Sequence, residues 1–341
     1  ELHRGTYTSQ ARNKRYNRMS ELAYRNAEQL SSFAGLFGAK YDKKSLVDGW
    51  EIILLNHFHD IIPGSSINDV YKDSNKQYAE ILAKANDIKA SAFDALAANT
   101  QTDGQSVVVF NSLSWERSGI VEVDWKGSGN TEVVAPDGSV VPSQINAGKL
   151  IFQASAVPSC GVAVYSINEC KSDIATPFTV NAGQIKTPFY ELSLSDDGSI
   201  SGIKDLKNDR QVLPEGARAN VLQVFEDKPS NWEAWDVEVQ YQEKVWEFAA
   251  EKPFEVIENG PARLVLGTSF VYGTSRIDQK MVMYADSQRI DFINKVDWNE
   301  RKTLLKVAFP AEIHTNKATY EIAFGAIERP NHWNTSWDKA R

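Results

Sequence analysis

Two histidines and a carboxylate fall within four positions in the stretch Asn56-His57-Phe58-His59-Asp60-Ile61-Ile62-Pro63-Gly64-Ser65. Imidazole and carboxylate together suit zinc. Geometry narrows that reading. Residues two apart on a helix point about 200° from each other, so His57 and His59 cannot both serve one ion unless the helix has already unwound. One of them is the ligand candidate, and the other packs or caps. A single histidine does not make a zinc site, and no His/Cys/Asp cluster elsewhere supplies obvious partners. On pattern alone His59 stays open between a metal ligand and a structural residue.

The elements that must position this stretch are helical. Tyr16, Met19, Ala23, Leu30, Phe33 and Phe37 recur at three- and four-residue steps, which predicts one apolar helix face closed by Gly35 and Gly38. A second helix is expected from about Ser45, where Ser45-Leu46-Val47-Asp48 fits an acidic capping box. Its stripe reads Val47, Trp50, Ile53 and Leu54, and Pro63-Gly64 should stop it. Ser66-Ile67-Asn68-Asp69 opens a third helix with the stripe Tyr78, Ile81, Leu82, Ala85, Ile88, Ala92 and Leu96. Short connections predict an up-down-up three-helix bundle.

Near 99–105 the period changes. From Val107 onward short β-branched and aromatic runs alternate with turn signals: Pro136-Asp137-Gly138, Asp196-Asp197-Gly198 and Asn259-Gly260-Pro261. The expected class is α+β and multidomain, a three-helix bundle followed by mainly antiparallel, supersandwich-like β-sandwich domains. The boundaries read as 1–10, the end of a preceding domain; 11–100, the bundle; 101–175, a small sandwich; and 176–341, a larger sandwich continuing past its last residue. The chain opens at Glu1 without an initiator methionine and stops at Arg341 directly after an aromatic and charged run. Both ends read as cuts within a longer polypeptide.

Composition excludes some partners. A net charge of −8 without a long basic run argues against nucleic acid, and no apolar segment approaches a membrane span. Cys160 and Cys170 could form one disulfide at most, and such low cysteine use leans towards a cytoplasmic setting. Nine tryptophans and twelve tyrosines suit either sugar-binding surfaces or sandwich cores. Asp227, Trp232, Trp235 and Asp236 sit in an aromatic, acidic, loop-like segment that could line a sugar subsite or form a domain contact. Trp298 reads as core, His3 and His314 as structural or surface residues, and Arg329, His332 and Trp337 as candidates for facing another domain. Oligomerisation is left open.

Leu54 to Ile67 closely resembles the segment that follows the catalytic domain in glycoside hydrolase family 38 α-mannosidases. Glu1-Leu2-His3-Arg4-Gly5-Thr6-Tyr7-Thr8-Ser9-Gln10 is similar to that family's exit from the catalytic domain. Glu328-Arg329-Pro330 and Asn334-Thr335-Ser336-Trp337-Asp338 resemble a run in its C-terminal β region. The matches fall in order along the whole chain and point to the branch with cytosolic and bacterial enzymes.

This resemblance implies that His59 is a zinc ligand, that Asp60 contacts the bound sugar and that His57 is outside the zinc set. It implies α-mannoside glycans as substrates and the protein's own N-terminal catalytic domain as a partner, supplying the remaining zinc ligands, the nucleophile and the acid/base. The chain would then contain no catalytic residue and be inactive alone. The alternative is a non-catalytic carbohydrate-binding or structural support module.

Overall fold

The computed structural model describes residues 3–127, 130–170, 175–322, 325–335 and 338. The Cys170 side chain, Glu1, Leu2, Ser336 and Trp337 lie outside the described residues. Three α-helices come first: α1 (Ala11–Gly35), α2 (Lys43–Asn56) and α3 (Asn68–Ala98). They pack on one another around Tyr24, Ile53 and Tyr78, all fully buried.

Helix α3 presents the expected stripe, with Tyr78, Ile81, Ala85, Ile88, Ala92 and Leu96 buried and Leu82 at the margin. Helix α1 departs from its reading. Met19 and Phe37 are exposed, and the buried face is Asn13, Ser20, Ala23, Tyr24, Ala27, Leu30, Ser31 and Ala34. Small side chains there let neighbouring helices approach closely, and a hydropathy pattern does not register them as core. Helix α2 begins two residues before Ser45, because Asp42 caps it by accepting the Ser45 N–H at 3.2 Å. Val47 and Leu54 are exposed. Ile53 is buried and Trp50 packs on the core as expected, and Leu46, Gly49 and Asn56 face inward with them, Gly49 leaving room for the Tyr24 ring.

All strand pairings among the described residues are antiparallel. A four-stranded sheet runs in the order Ser106–Phe110, Val162–Cys170, Asn130–Val134, Val140–Val141, and faces a three-stranded sheet of Arg117–Asp124, Lys149–Val157 and Ser143–Asn146. Val133, Leu150, Phe152 and Tyr165 fill the space between them. The Pro136-Asp137-Gly138, Asp196-Asp197-Gly198 and Asn259-Gly260-Pro261 signals each join two paired antiparallel strands, as expected.

Further along, a five-stranded sheet packs on a four-stranded one (Glu255–Asn259, Arg263–Tyr272, Ser275–Tyr284, Ile290–Asp297). Ile185, Leu192, Ile200, Leu264, Leu266 and Met281 are buried between them. A three-stranded sheet (Val245–Phe248, Val221–Glu226, Thr303–Ala308) and the hairpin Lys317–Ile322/Gly325–Pro330 complete the β part.

The two β regions meet at a buried carboxylate. Glu258 accepts from Gln144, from Asn146 Nδ2 at 2.9 Å and from Arg263 Nε at 3.0 Å, while Gln144 Oε1 accepts the Ala262 N–H at 2.8 Å. Helices and small sandwich meet where Phe110 sets its ring edge-on to Phe33 and Phe93. Cys160 is a free thiol that accepts from Gln29 Nε2 at 3.4 Å. No helix among the described residues is long and apolar enough to cross a membrane.

Candidate functional site

Helix α2 does not run to Pro63-Gly64. It ends at Asn56, with His57 at its C-cap, so residues 57–64 form an irregular turn. The unwinding that a shared metal would require has therefore occurred, yet the two histidines part company. His57 Nε2 lies 2.7 Å from Asn17 Oδ1 and 3.3 Å from Glu21 Oε1, and Tyr78 donates to the same Asn17 oxygen at 3.2 Å. His57 is thus held by the helix bundle.

His59 points the other way, its side chain 77% exposed against 46% for Asp60. Its Nε2 stands 3.2 Å from Asp60 Oδ2, and Phe58 lies against the ring at 4.4 Å between centroids. The exposed imidazole and the carboxylate beside it are thus open to a ligand from outside the bundle. Leu54, Leu55, Phe58 and Ile67, close in sequence to this pair, are all more than half exposed.

The turn is held from beneath by hydrogen bonds to its carbonyls. Tyr71, buried in α3, donates to Ile61 O at 3.1 Å and accepts the Ser66 N–H at 3.1 Å. Ser66 Oγ donates to Asp60 O at 2.5 Å, and Ser65 Oγ reaches Asp60 Oδ1 at 3.3 Å. From α1, Asn13 donates to Ile61 O at 3.1 Å and Lys14 Nζ to Ile62 O at 2.7 Å and Ser9 O at 2.5 Å. Burial without a carboxylate partner pulls Lys14 down to about 8. Gly64, at φ +97°, passes so close to Ser9 that a Cβ would meet the Ser9 carbonyl. Sequence reasoning missed Asn13, Lys14 and Tyr71. They carry no motif, and only the crossing of α1, α3 and the turn reveals them.

The aromatic loop is engaged by the N-terminal segment. His3 Nδ1 meets Asp236 Oδ1 at 2.7 Å, and the His3 ring stands edge-on to Trp235 at 5.0 Å. Gly5 N–H donates to Trp235 O at 2.8 Å, and Ser9 Oγ to Ala234 O at 2.8 Å. Trp235 and Asp236 thus form the domain-contact alternative, whereas Trp232 is 70% exposed. Asp227 is pushed above the usual carboxylate range by desolvation, and its buried Oδ1 has no hydrogen-bond partner among the described residues. Trp298 stacks on Tyr272 at 6.0 Å against the Phe270–Ile277 cluster. His314 pairs with Glu312 on the surface, and His332 Nδ1 lies 3.3 Å from Asp338 Oδ2.

Residues 1–96 match the profile described as Alpha mannosidase middle domain, and residues 185–341 that described as Glycosyl hydrolases family 38 C-terminal domain. The chain belongs to glycosyl hydrolase family 38. Among its relatives in this family, Alpha-mannosidase G of Dictyostelium discoideum is 30% identical over 389 residues, covering 100% of this chain and 35% of the relative. Alpha-mannosidase 2C1 of Homo sapiens is 29% identical over 358 residues, covering 100% of this chain and 32% of the relative. The chain therefore spans about a third of the length of the relatives it matches. A crystal structure of an alpha-mannosidase from Enterococcus faecalis V583 superposes with a TM-score of 0.77 at 16% identity, covering 98% of this chain and 46% of that one, which shows the shared fold.

The described residues contain no group of three or more His, Cys, Asp or Glu able to hold a metal. A tetrahedral zinc takes four donors. His59 and Asp60 fit at most part of such a set, and the chemistry available from the described residues is one imidazole donor and one adjoining carboxylate.

Proposed function

We propose that this chain forms part of a retaining, zinc-dependent α-mannosidase that hydrolyses terminal α-linked mannose, contributing His59 as a metal ligand and Asp60 as a sugar contact. The observation that carries the reading is the exposed His59–Asp60 pair, raised on a turn whose carbonyls are pinned by α1 and α3. A histidine spent on packing would be held as His57 is, within the bundle.

Retaining hydrolysis needs two carboxyl groups about 5–5.5 Å apart, one to attack the anomeric carbon and one to shuttle the proton. In this reading both belong to the N-terminal catalytic domain of the longer protein, together with the other zinc ligands. Zinc, when bound, supplies Lewis-acid and positioning chemistry at sugar hydroxyls. Asp60 accepts hydrogen bonds from those hydroxyls and orients the His59 ring. The division of the chain at 10, 100 and 175 and a cytoplasmic setting belong to the same proposal, the latter resting on low cysteine use. The engagement of Trp235 and Asp236 by residues 3–9 favours a supporting role for that loop.

The test is hydrolysis of an aryl α-mannoside by the full-length protein. His59→Ala should lower kcat/KM by about 100-fold or more, since altering even the outer partners of a metal ligand costs roughly 10–100-fold. Asp60→Asn should act mainly on substrate binding, and the 341-residue chain alone should show no turnover. Full activity in His59→Ala, or turnover by this chain alone, sinks the reading.

A further inference from the structure

A cleft of about 520 Å³ lies far along the sequence from the His59 turn, at the meeting of the two β regions. Its floor follows from strand alternation. In Lys149–Val157 the residues Leu150, Phe152 and Ala154 fill the small-sandwich core, so Ile151 and Gln153 point out of the opposite face. Ile120 pairs with Gln153 and Glu122 with Ile151, which puts Ile120 and Glu122 on that outer face too. The far wall is built by Arg263, Tyr284, Asp286, Ser287, Arg289 and Asp291.

Gln153 is only 5% exposed, yet its amide is almost unspent. Nε2 makes one long contact, 3.5 Å to Ala154 O, and Oε1 accepts nothing among the described residues. Gln153 Oε1 is not sealed off but lines the cleft, where water or a ligand can satisfy it. Its neighbours have capacity as well. Arg117 and Asp286 line the cleft with no side-chain partner among the described residues, and Ser118 Oγ accepts the Ala156 N–H at 3.0 Å, leaving its hydroxyl proton to donate.

The charges decide the ligand class. Arg117, Arg263 and Arg289 are balanced by Glu122, Asp286 and Asp291. An anion would meet three carboxylates, and a cation three guanidiniums. Arg263 is already paired with Glu122 and Arg289 with Asp291, so among the described residues a neutral molecule with several hydroxyl groups meets one free guanidinium, Arg117, one free carboxylate, Asp286, and the Gln153 amide. Apolar ground for C–H faces is provided by Ile120. We propose that this cleft binds a short neutral oligosaccharide, with Gln153, Arg117 and Asp286 as its recognising groups. The proposal stands apart from the role given to His59 and Asp60.

Isothermal titration calorimetry of the purified chain with α-linked mannotriose tests it, with maltotriose and inorganic phosphate as further arms. The expected result is saturable binding of mannotriose, weakened roughly tenfold or more by Arg117→Ala and by Asp286→Ala, the scale of one charge-assisted hydrogen bond. Both residues are exposed, so these variants fold, and Gln153→Leu adds a third reading wherever its circular dichroism matches the wild type. His59→Ala should leave the titration unchanged, which separates failure of the cleft from failure of the proposed function. Equal binding of maltotriose keeps the site and broadens it to neutral oligosaccharides in general. No heat with either sugar, binding untouched by both exposed variants, or phosphate bound in preference to sugar overturns the proposal.

Discussion

The turn after α2 and the seam between the β regions are both built from carboxylates and their partners, and they use that polarity in opposite ways. At the seam the Glu258 side chain is 6% exposed and Arg263 15%, and both Glu258 oxygens accept hydrogen bonds within the chain. At the turn His59 and Asp60 are largely open to water, while the backbone beneath them is densely bonded. The seam spends its side chains on the fold. The turn is fixed mainly through its main chain and the His57 side chain, which leaves the His59 imidazole exposed.

Mutations can break that contrast. Glu258→Ala leaves Arg263 buried beside an empty carboxylate position and should destabilise by about 3–5 kcal/mol, read from chemical denaturation. A loss under about 1 kcal/mol would show that water satisfies the seam. Gly64→Ala strains a left-handed residue and presses on the Ser9 carbonyl, for about 1–3 kcal/mol. His57→Ala gives up the Asn17 contact and should cost about 1 kcal/mol. His59→Ala, by contrast, should stay within about 0.5 kcal/mol. Equal costs for the two histidines would remove the distinction drawn between them.

The last test is a pH signature. Lys14 has a folded pKa of about 8 against an ordinary value of 10.5, so in that window the unfolded chain holds a proton the folded chain has released. The contribution of Lys14 to stability is therefore least below pH 8 and grows as pH rises towards 10.5. Denaturation midpoints at pH 7.5 and pH 10 should show the wild type gaining on Lys14→Met. Parallel changes in the two proteins would mean that the ammonium is better solvated than its position implies.

Sequence periodicity located α3 and its face because large apolar residues mark that stripe. It found Ala23 and Leu30 on α1 but missed most of that face, where, Tyr24 apart, the buried residues are alanine, serine and asparagine, equally at home in solvent. It extended α2 by seven residues because proline and glycine are visible stop signals, whereas the hydrogen bonds from Asn13, Lys14 and Tyr71 that hold the chain in a turn come from other helices. The His59–Asp60 motif was legible as a string of letters. That His57 belongs to the bundle and His59 to the surface followed in part from helix geometry, but exposure itself depends on packing that no local pattern encodes. The Gln153 cleft lay beyond sequence reading for the same reason. It exists only where two separate sandwiches face each other.

Residues 3–9 are hydrogen-bonded to the Ala234–Asp236 loop on one side, and on the other Ser9 lies against Gly64 and shares the Lys14 ammonium with Ile62 O. They act as a shim. A rigid shim makes the loop and the turn share one positional coordinate, so neither can shift without loading the other. Linkage makes any coupling through this segment reciprocal: whatever factor a molecule bound at the loop imposed on affinity at the His59 turn, a ligand at the turn would impose on the loop.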